Sequence, residues 1–397
     1  MTATLGDREL TSTSVRLPGR HGGLERYPLH EPTVWPRVTS PARSRVAFAA
    51  AHVVADPLSD TTPGAPATLD WDATLAFRRH LWSCGLAVAD AMDTAQRGMG
   101  LGWDTASELI RRSAAEARAV GGRIAVGVGT DHAATDLRTL GEVRAAYQEQ
   151  LAVAESAGAQ AIVMGSRQLA RVARSPQDYA EVYAAVLSQA SAPVILHWLG
   201  PVFDPALAGY WGHSDLAAAA EALLAVIRDN ADRIDGVKIS LLDAEREVWL
   251  RERVPEGVLV YTGDDFHYPE LILGDENGFS HALLGILDPI APIAGAALER
   301  LDAGDVAGYQ ALLEPTVPLA RHLFAAPTWN YKTGIVFLAW LAGHQPAFTL
   351  VGGMASGRSL VHLVQLFRLA DQAGLLPDPD LAAQRMEHLM AVHGISR

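Results

Sequence analysis

Of the 32 basic residues in this chain two are lysines, Lys238 and Lys332, and 30 are arginines. A lysine inside the apolar run Asp235-Gly-Val-Lys-Ile-Ser240 of such an arginine-rich chain points to use of its amine. Burial among apolar neighbours disfavours the ammonium form and lowers its pKa from about 10.4. The neutral amine can then attack a ketone or aldehyde to give an iminium, an electron sink for making or breaking a C–C bond. The alternative is a structural lysine paired with a carboxylate such as Asp264. His197 closes another apolar run, and an imidazole titrating near neutrality can move protons in either direction. Its alternative is a buried histidine with a satisfied hydrogen bond.

Further polar and aromatic residues fall at predicted strand ends or in the loops that follow, among them His52, Asp93, Trp198, Asp264 and His281. Carboxylates, imidazoles and an indole suit a polyhydroxylated substrate, through hydrogen bonds and stacking. A metal-dependent barrel lyase or hydrolase built from His52, His132, His197, His267 and His281 with nearby aspartates is a rival reading. No pair has a compact ligand spacing such as HxH or HExxH, so no metal site and no cofactor are assigned. A second rival is a non-catalytic sensor that binds a sugar or an oxo acid.

Positioning these residues requires a repeated scaffold. Short, unbroken, often β-branched runs at 45–52, 86–92, 123–127, 160–164, 193–197, 236–240, 257–261 and 278–284 read as parallel strands buried on both faces. Helical stretches separate them. Thr105-Ala-Ser-Glu108 has capping-box spacing, Gly158 ends a helix, and Ser214 or Asp215 opens the next. Eight strand–helix alternations predict an α/β fold, a (β/α)8 TIM barrel over 44–300, with catalytic groups at the C-terminal strand ends. Residues 1–43 read as an N-terminal extension over the barrel surface, and 301–397 as a C-terminal helical region packed on it.

The bulk properties bound the function. A formal net charge of −13 argues against nucleic acid or an anionic membrane as partner. The single cysteine, Cys84, suits a reducing compartment. The chain shows no apolar run of transmembrane length, and its first twenty residues lack the apolar middle of a secretory signal. The expectation is a soluble cytoplasmic enzyme that acts on a small-molecule carbonyl substrate as a homo-oligomer, dimer or tetramer.

Five segments carry a resemblance. They are GVGTDHAATD (127–136), PVILHWLGP (193–201), DGVKIS (235–240), VYTGDD (260–265) and GFSHALLGILDP (278–289). In order and spacing the chain resembles the dihydrodipicolinate synthase and N-acetylneuraminate lyase family of class I aldolases and lyases, as a divergent branch. The resemblance implies Lys238 as the Schiff-base lysine and Gly263 with Asp264 as the glycine–aspartate turn after strand seven. His197 stands where the family has its proton-relaying tyrosine. The family's paired-threonine loop, which holds a substrate carboxylate, falls on Asp93-Thr94-Ala95-Gln96-Arg97. Thr94 matches one threonine, Ala95 replaces the other, and Asp93 would repel a carboxylate. Val202 stands where the synthase has an arginine for a second carboxylate. Asp93, Thr94 and Arg97 are therefore expected to contact a substrate other than the synthase's own.

Overall fold

In this computed structural model, residues 8–19, 22–36, 38 and 40–395 are described. Ten strands occur among them: β1 (Leu10–Pro18), β2 (Leu24–His30), β3 (Ala47–Ala50), β4 (Ala87–Asp90), β5 (Ile124–Val128), β6 (Gln160–Val163), β7 (Val194–Leu199), β8 (Ile234–Ser240), β9 (Leu259–Thr262) and β10 (His281–Leu284). Strands β3 to β10 close a parallel barrel in sequence order, with β10 pairing back onto β3. Helices lie between consecutive strands. The fold is a (β/α)8 TIM barrel with a C-terminal helical region, and each of the eight apolar runs supplies one barrel strand.

Strand alternation fills the barrel. With a period of two, every second side chain faces inward, and the interior packs Phe48, Ala50, Ala87, Ala89, Ala125, Ile162, Ile195, Tyr261 and Leu283 together. Alanines on β3, β4 and β5 leave room for the rings of Phe48 and Tyr261, which meet edge to face at 6.0 Å. A Cβ on Gly236 would lie 2.6 Å from the Leu259 carbonyl oxygen and 2.7 Å from the Tyr261 ring, so glycine there admits the tyrosine. The Tyr261 hydroxyl donates to Asp235 at 2.7 Å. These contacts fix the register on which Lys238 sits.

The chain divides into two compact units. One comprises Arg45–Ala51 and Leu86–Gly285 and holds all eight barrel strands. The other comprises Met1–Ser44, His52–Gly85 and Ile286–Arg397. In this second unit the helix Tyr331–Leu341 is buried along its whole length, Lys332 included.

The N-terminal extension forms an antiparallel hairpin of β1 and β2. Asp371, on the helix Leu360–Gln372, anchors it by accepting from the Tyr27 hydroxyl at 2.7 Å and the His30 backbone N–H at 3.1 Å. Thr105 does not cap a helix. The helix begins at Trp103 with Gly102 as N-cap, so Thr105 lies in its first turn. Trp103 sits below the Arg97 guanidinium at 5.2 Å, which favours the earlier start. The expected stop at Gly158 and the cap at Asp215 are present: Gly158 has φ of 73°, and Asp215 accepts from the Ala218 N–H.

Candidate active site

Lys238 is the fifth residue of β8, and parallel pairing sets it opposite His197 on β7 and Tyr261 on β9. Its side chain follows Gly236 on the inward face and is 5% exposed. Burial lowers its pKa below the ordinary lysine value, while the charges of Asp93 and Asp265 oppose that shift. The neutral, nucleophilic form is therefore reached at lower pH than for a solvated lysine.

Gly263 explains how the amine keeps its room. A Cβ there would lie 2.2 Å from Ser240 Oγ, 2.7 Å from the Ile239 carbonyl oxygen and 2.9 Å from Lys238 Cε. Only a residue without a side chain fits this notch.

His197 is 1% exposed. Burial and then the charge of Lys238 drive its pKa well below the ordinary histidine value, with Asp93 opposing. The near-neutral titration expected of a solvated histidine is thereby lost, and the imidazole is neutral. Its Nε2 lies 3.1 Å from Ser240 Oγ. Asp93 thus exerts its field on both Lys238 and His197, and Lys238, His197, Asp93, Asp265, Gly263 and Ser240 form one constellation. Ser240 was not among the residues expected from sequence. Its signal was available: two positions after Lys238 on a strand is the same face.

The other expected residues are placed as follows. Thr94 is buried in the loop after β4, between two positive-φ residues, Ala91 at 51° and Gln96 at 64°. Leu242 at 56° and Trp211 at 67° lie in loops after β8 and β7, and such backbone strain concentrates at functional sites. The Arg97 guanidinium donates to Asp131 Oδ2 at 2.9 Å, Gln150 Oε1 at 2.9 Å and the Ala91 carbonyl at 3.1 Å. It also pairs closely with Asp131 Oδ1. Burial alone would raise the Asp131 carboxyl, but Arg97 and Gln150 outweigh it and hold its pKa below the ordinary value. Asp264 turns back on its own loop: Oδ1 accepts from the backbone N–H groups of Phe266 at 2.8 Å and His267 at 3.1 Å, and Oδ2 faces His267 Nδ1 at 2.9 Å.

Trp198, one residue after His197, is buried on the opposite face of β7. His281 opens β10, at the end of the strands away from Lys238, and its Nδ1 accepts from the Val46 N–H at 2.9 Å. Burial, then the charge of Arg45, pushes its pKa down to about 4. His52 belongs to the second unit, where its backbone N–H and Nδ1 each lie 2.8 Å from Asp288 Oδ2 and its Nε2 lies 3.1 Å from Gln345 Oε1. Among the described residues no group of three or more His, Cys, Asp or Glu side chains is arranged to hold a metal ion. Among them, too, no helix is long and apolar enough to cross a membrane.

A barrel of this topology is shared with solved structures of the dihydrodipicolinate synthase family. YagE, a prophage protein of that family from E. coli K12 solved in complex with pyruvate, superposes with a TM-score of 0.64 at 16% identity, over 83% of this chain and 99% of its own. Dihydrodipicolinate synthase from Aquifex aeolicus gives 0.62 at 14% identity, over 84% and 99%. The synthase from Thermotoga maritima gives 0.62 at 15% identity, over 84% and 100%. The fold is therefore that of the dihydrodipicolinate synthase family. Residues 15–395 match the family described as "Protein of unknown function (DUF993)", and the chain belongs to that family. No curated protein matches it.

Proposed function

We propose that this protein is a Schiff-base-forming class I lyase of the aldolase type, with Lys238 as the nucleophile. The observation that carries the reading is a lysine buried in the barrel interior, its pKa lowered, beside a neutral histidine and within the field of two carboxylates. The likeness to barrels of the dihydrodipicolinate synthase family, one of them solved with the carbonyl compound pyruvate, supports the same reading. The amine attacks the carbonyl carbon, the oxygen leaves as water, and the iminium accepts the electron pair of the adjacent C–C bond as it breaks.

Within the proposed class of keto sugars, hydroxylated carbonyl compounds and 2-oxo acids, a neutral hydroxylated compound fits best. Arg97, the cation in the loop after β4, is engaged by Asp131, Gln150 and a backbone carbonyl, and Asp93 adds negative charge near the amine. Both features disfavour a substrate carboxylate. Action as a cytoplasmic homo-oligomer belongs to the same reading.

The test is borohydride trapping with dihydroxyacetone, a panel of keto sugars and pyruvate, read by intact mass and peptide mapping. The expected result is a reduced adduct on Lys238, formed faster with a neutral compound than with pyruvate, and none in Lys238→Ala. An adduct on Lys332, or unchanged turnover in Lys238→Ala, would overturn it.

A further inference from the structure

A buried imidazole has two nitrogens to satisfy, and at His197 one is satisfied. Nε2 meets Ser240 Oγ at 3.1 Å, while the buried Nδ1 has no hydrogen-bond partner. Buried polar atoms are seldom left so, and an exception inside a barrel calls for an explanation such as a missing ligand atom. Lys238 lies across the β7–β8 pair from His197, and Ser240 Oγ and Lys238 Cε both crowd the Gly263 backbone, so hydroxyl, amine stem and imidazole lie close together.

The hydrogen-bond inventory also assigns the ring proton. Ser240 is 2% exposed, and its hydroxyl bonds only His197 among the described residues. If the hydroxyl donates to Nε2, a single donor remains unmatched, the Nδ1–H. If Nε2–H donates instead, both the hydroxyl proton and the Nδ1 lone pair are stranded. The first arrangement leaves fewer unmet groups.

We propose that Ser240 is a positioning residue: its hydroxyl holds His197 as the neutral Nδ1–H tautomer, which donates a hydrogen bond to the oxygen of a carbonyl compound at Lys238. This rests on the Schiff-base reading above. The imidazole acts as an electrophile and keeps its proton, a role open to a neutral histidine. Protons balance without it. The neutral lysine amine brings two protons, both of which depart with the oxygen as water, and the resulting imine takes one proton from solvent to become the iminium. The C–O bond breaks with its electron pair on oxygen, and nothing is oxidised or reduced.

The experiment uses the full chain carrying ¹⁵N-labelled histidine, with the His197 signals identified by their loss in His197→Gln. The expected spectrum shows Nδ1 protonated and Nε2 bare, unchanged from about pH 5 to 8, where an unperturbed histidine titrates. Ser240→Ala should lose the single-tautomer signature and slow borohydride trapping of dihydroxyacetone about tenfold, with the half-saturating concentration unchanged. Ser240→Thr, which keeps the hydroxyl, should restore both. A proton on Nε2, titration of His197 within that range, or wild-type spectra and trapping in Ser240→Ala would each overturn the proposal. The tautomer is read without substrate, so a wild type that forms no Lys238 adduct would overturn the Schiff-base reading separately.

Discussion

Gly263→Ala is the sharpest test of how the amine is seated. Gly263 does not have a positive φ, so alanine meets no backbone penalty there and only space is at issue. The new methyl would lie 2.2 Å from Ser240 Oγ, 2.7 Å from the Ile239 carbonyl oxygen and 2.9 Å from Lys238 Cε. That carbonyl accepts from the Gly263 N–H at 2.8 Å and cannot retreat without losing the bond. The serine and lysine side chains must therefore give way. Overpacking of this kind costs about 1–3 kcal/mol, and the immobile carbonyl argues for the upper end. For a chain of this size that is a Tm loss of roughly 3–4 °C. Lys238 Cε must move by roughly half an ångström to regain van der Waals distance. Since about 1 Å of misplacement can cost about a hundredfold in rate, trapping should slow by about tenfold. Thermal melts and timed borohydride trapping read the two effects. Gly141→Ala is the control: it lies in the helix Leu140–Ser156, with Thr139 Oγ1 at 3.9 Å, and should gain up to about 1 kcal/mol without altering trapping. Wild-type melting and wild-type trapping in Gly263→Ala would refute the packing argument.

Two further perturbations probe buried charged groups of the same unit. Glu247 is buried on the helix Ala244–Arg251, and burial, reinforced by the charge of Asp264, pushes its carboxyl from 4.5 up to about 8. The folded chain keeps this proton while the unfolded chain releases it, so stability falls as pH climbs from 4.5 to about 8 and levels off above. Glu247→Gln should remove that slope, giving little change near pH 5 and a gain on the order of a few kcal/mol above pH 8; parallel melting curves at both pH values would expose a failure of this sign. Arg97→Met should cost about 3–5 kcal/mol by leaving Asp131 and Gln150 without their cation. Trapping by the folded fraction should keep its half-saturating concentration, and a selective rise in that concentration with unchanged stability would show Arg97 to be a substrate ligand instead.

Barrel strands were legible because each is enclosed on both faces and must be apolar throughout, a pattern that survives without knowledge of neighbours. The hairpin of β1 and β2 gives no such signal. Its two strands bury only Val15, Leu17 and Leu29 fully, and its anchor, Asp371, lies far along the chain. The helix start at Trp103 departs from the capping-box position for a related reason. Capping-box spacing is local, whereas the stacking of Arg97 on Trp103 depends on how the loop after β4 returns to the helix.

At the site, what could be read from the chain was direction along a strand. Lys238 and His197 both fall toward the C-terminal ends of their strands, so their meeting followed from register alone. What could not be read was which of two adjacent residues faces inward, and who pairs with whom between loops. His197 and Trp198 are consecutive, and period two sends them to opposite faces. His281 sits in an apolar run as His197 does, but at the run's first position, which places it at the other end of the barrel. Arg97 has the composition of an anion receptor, and only the approach of Asp131 and Gln150 from the neighbouring segment converts it into a brace. The same period of two that turns Trp198 to the other face keeps Ser240 on the face of Lys238. A hydroxyl two residues beyond Lys238 on the strand shares its face, and what the structure adds is the imidazole 3.1 Å away.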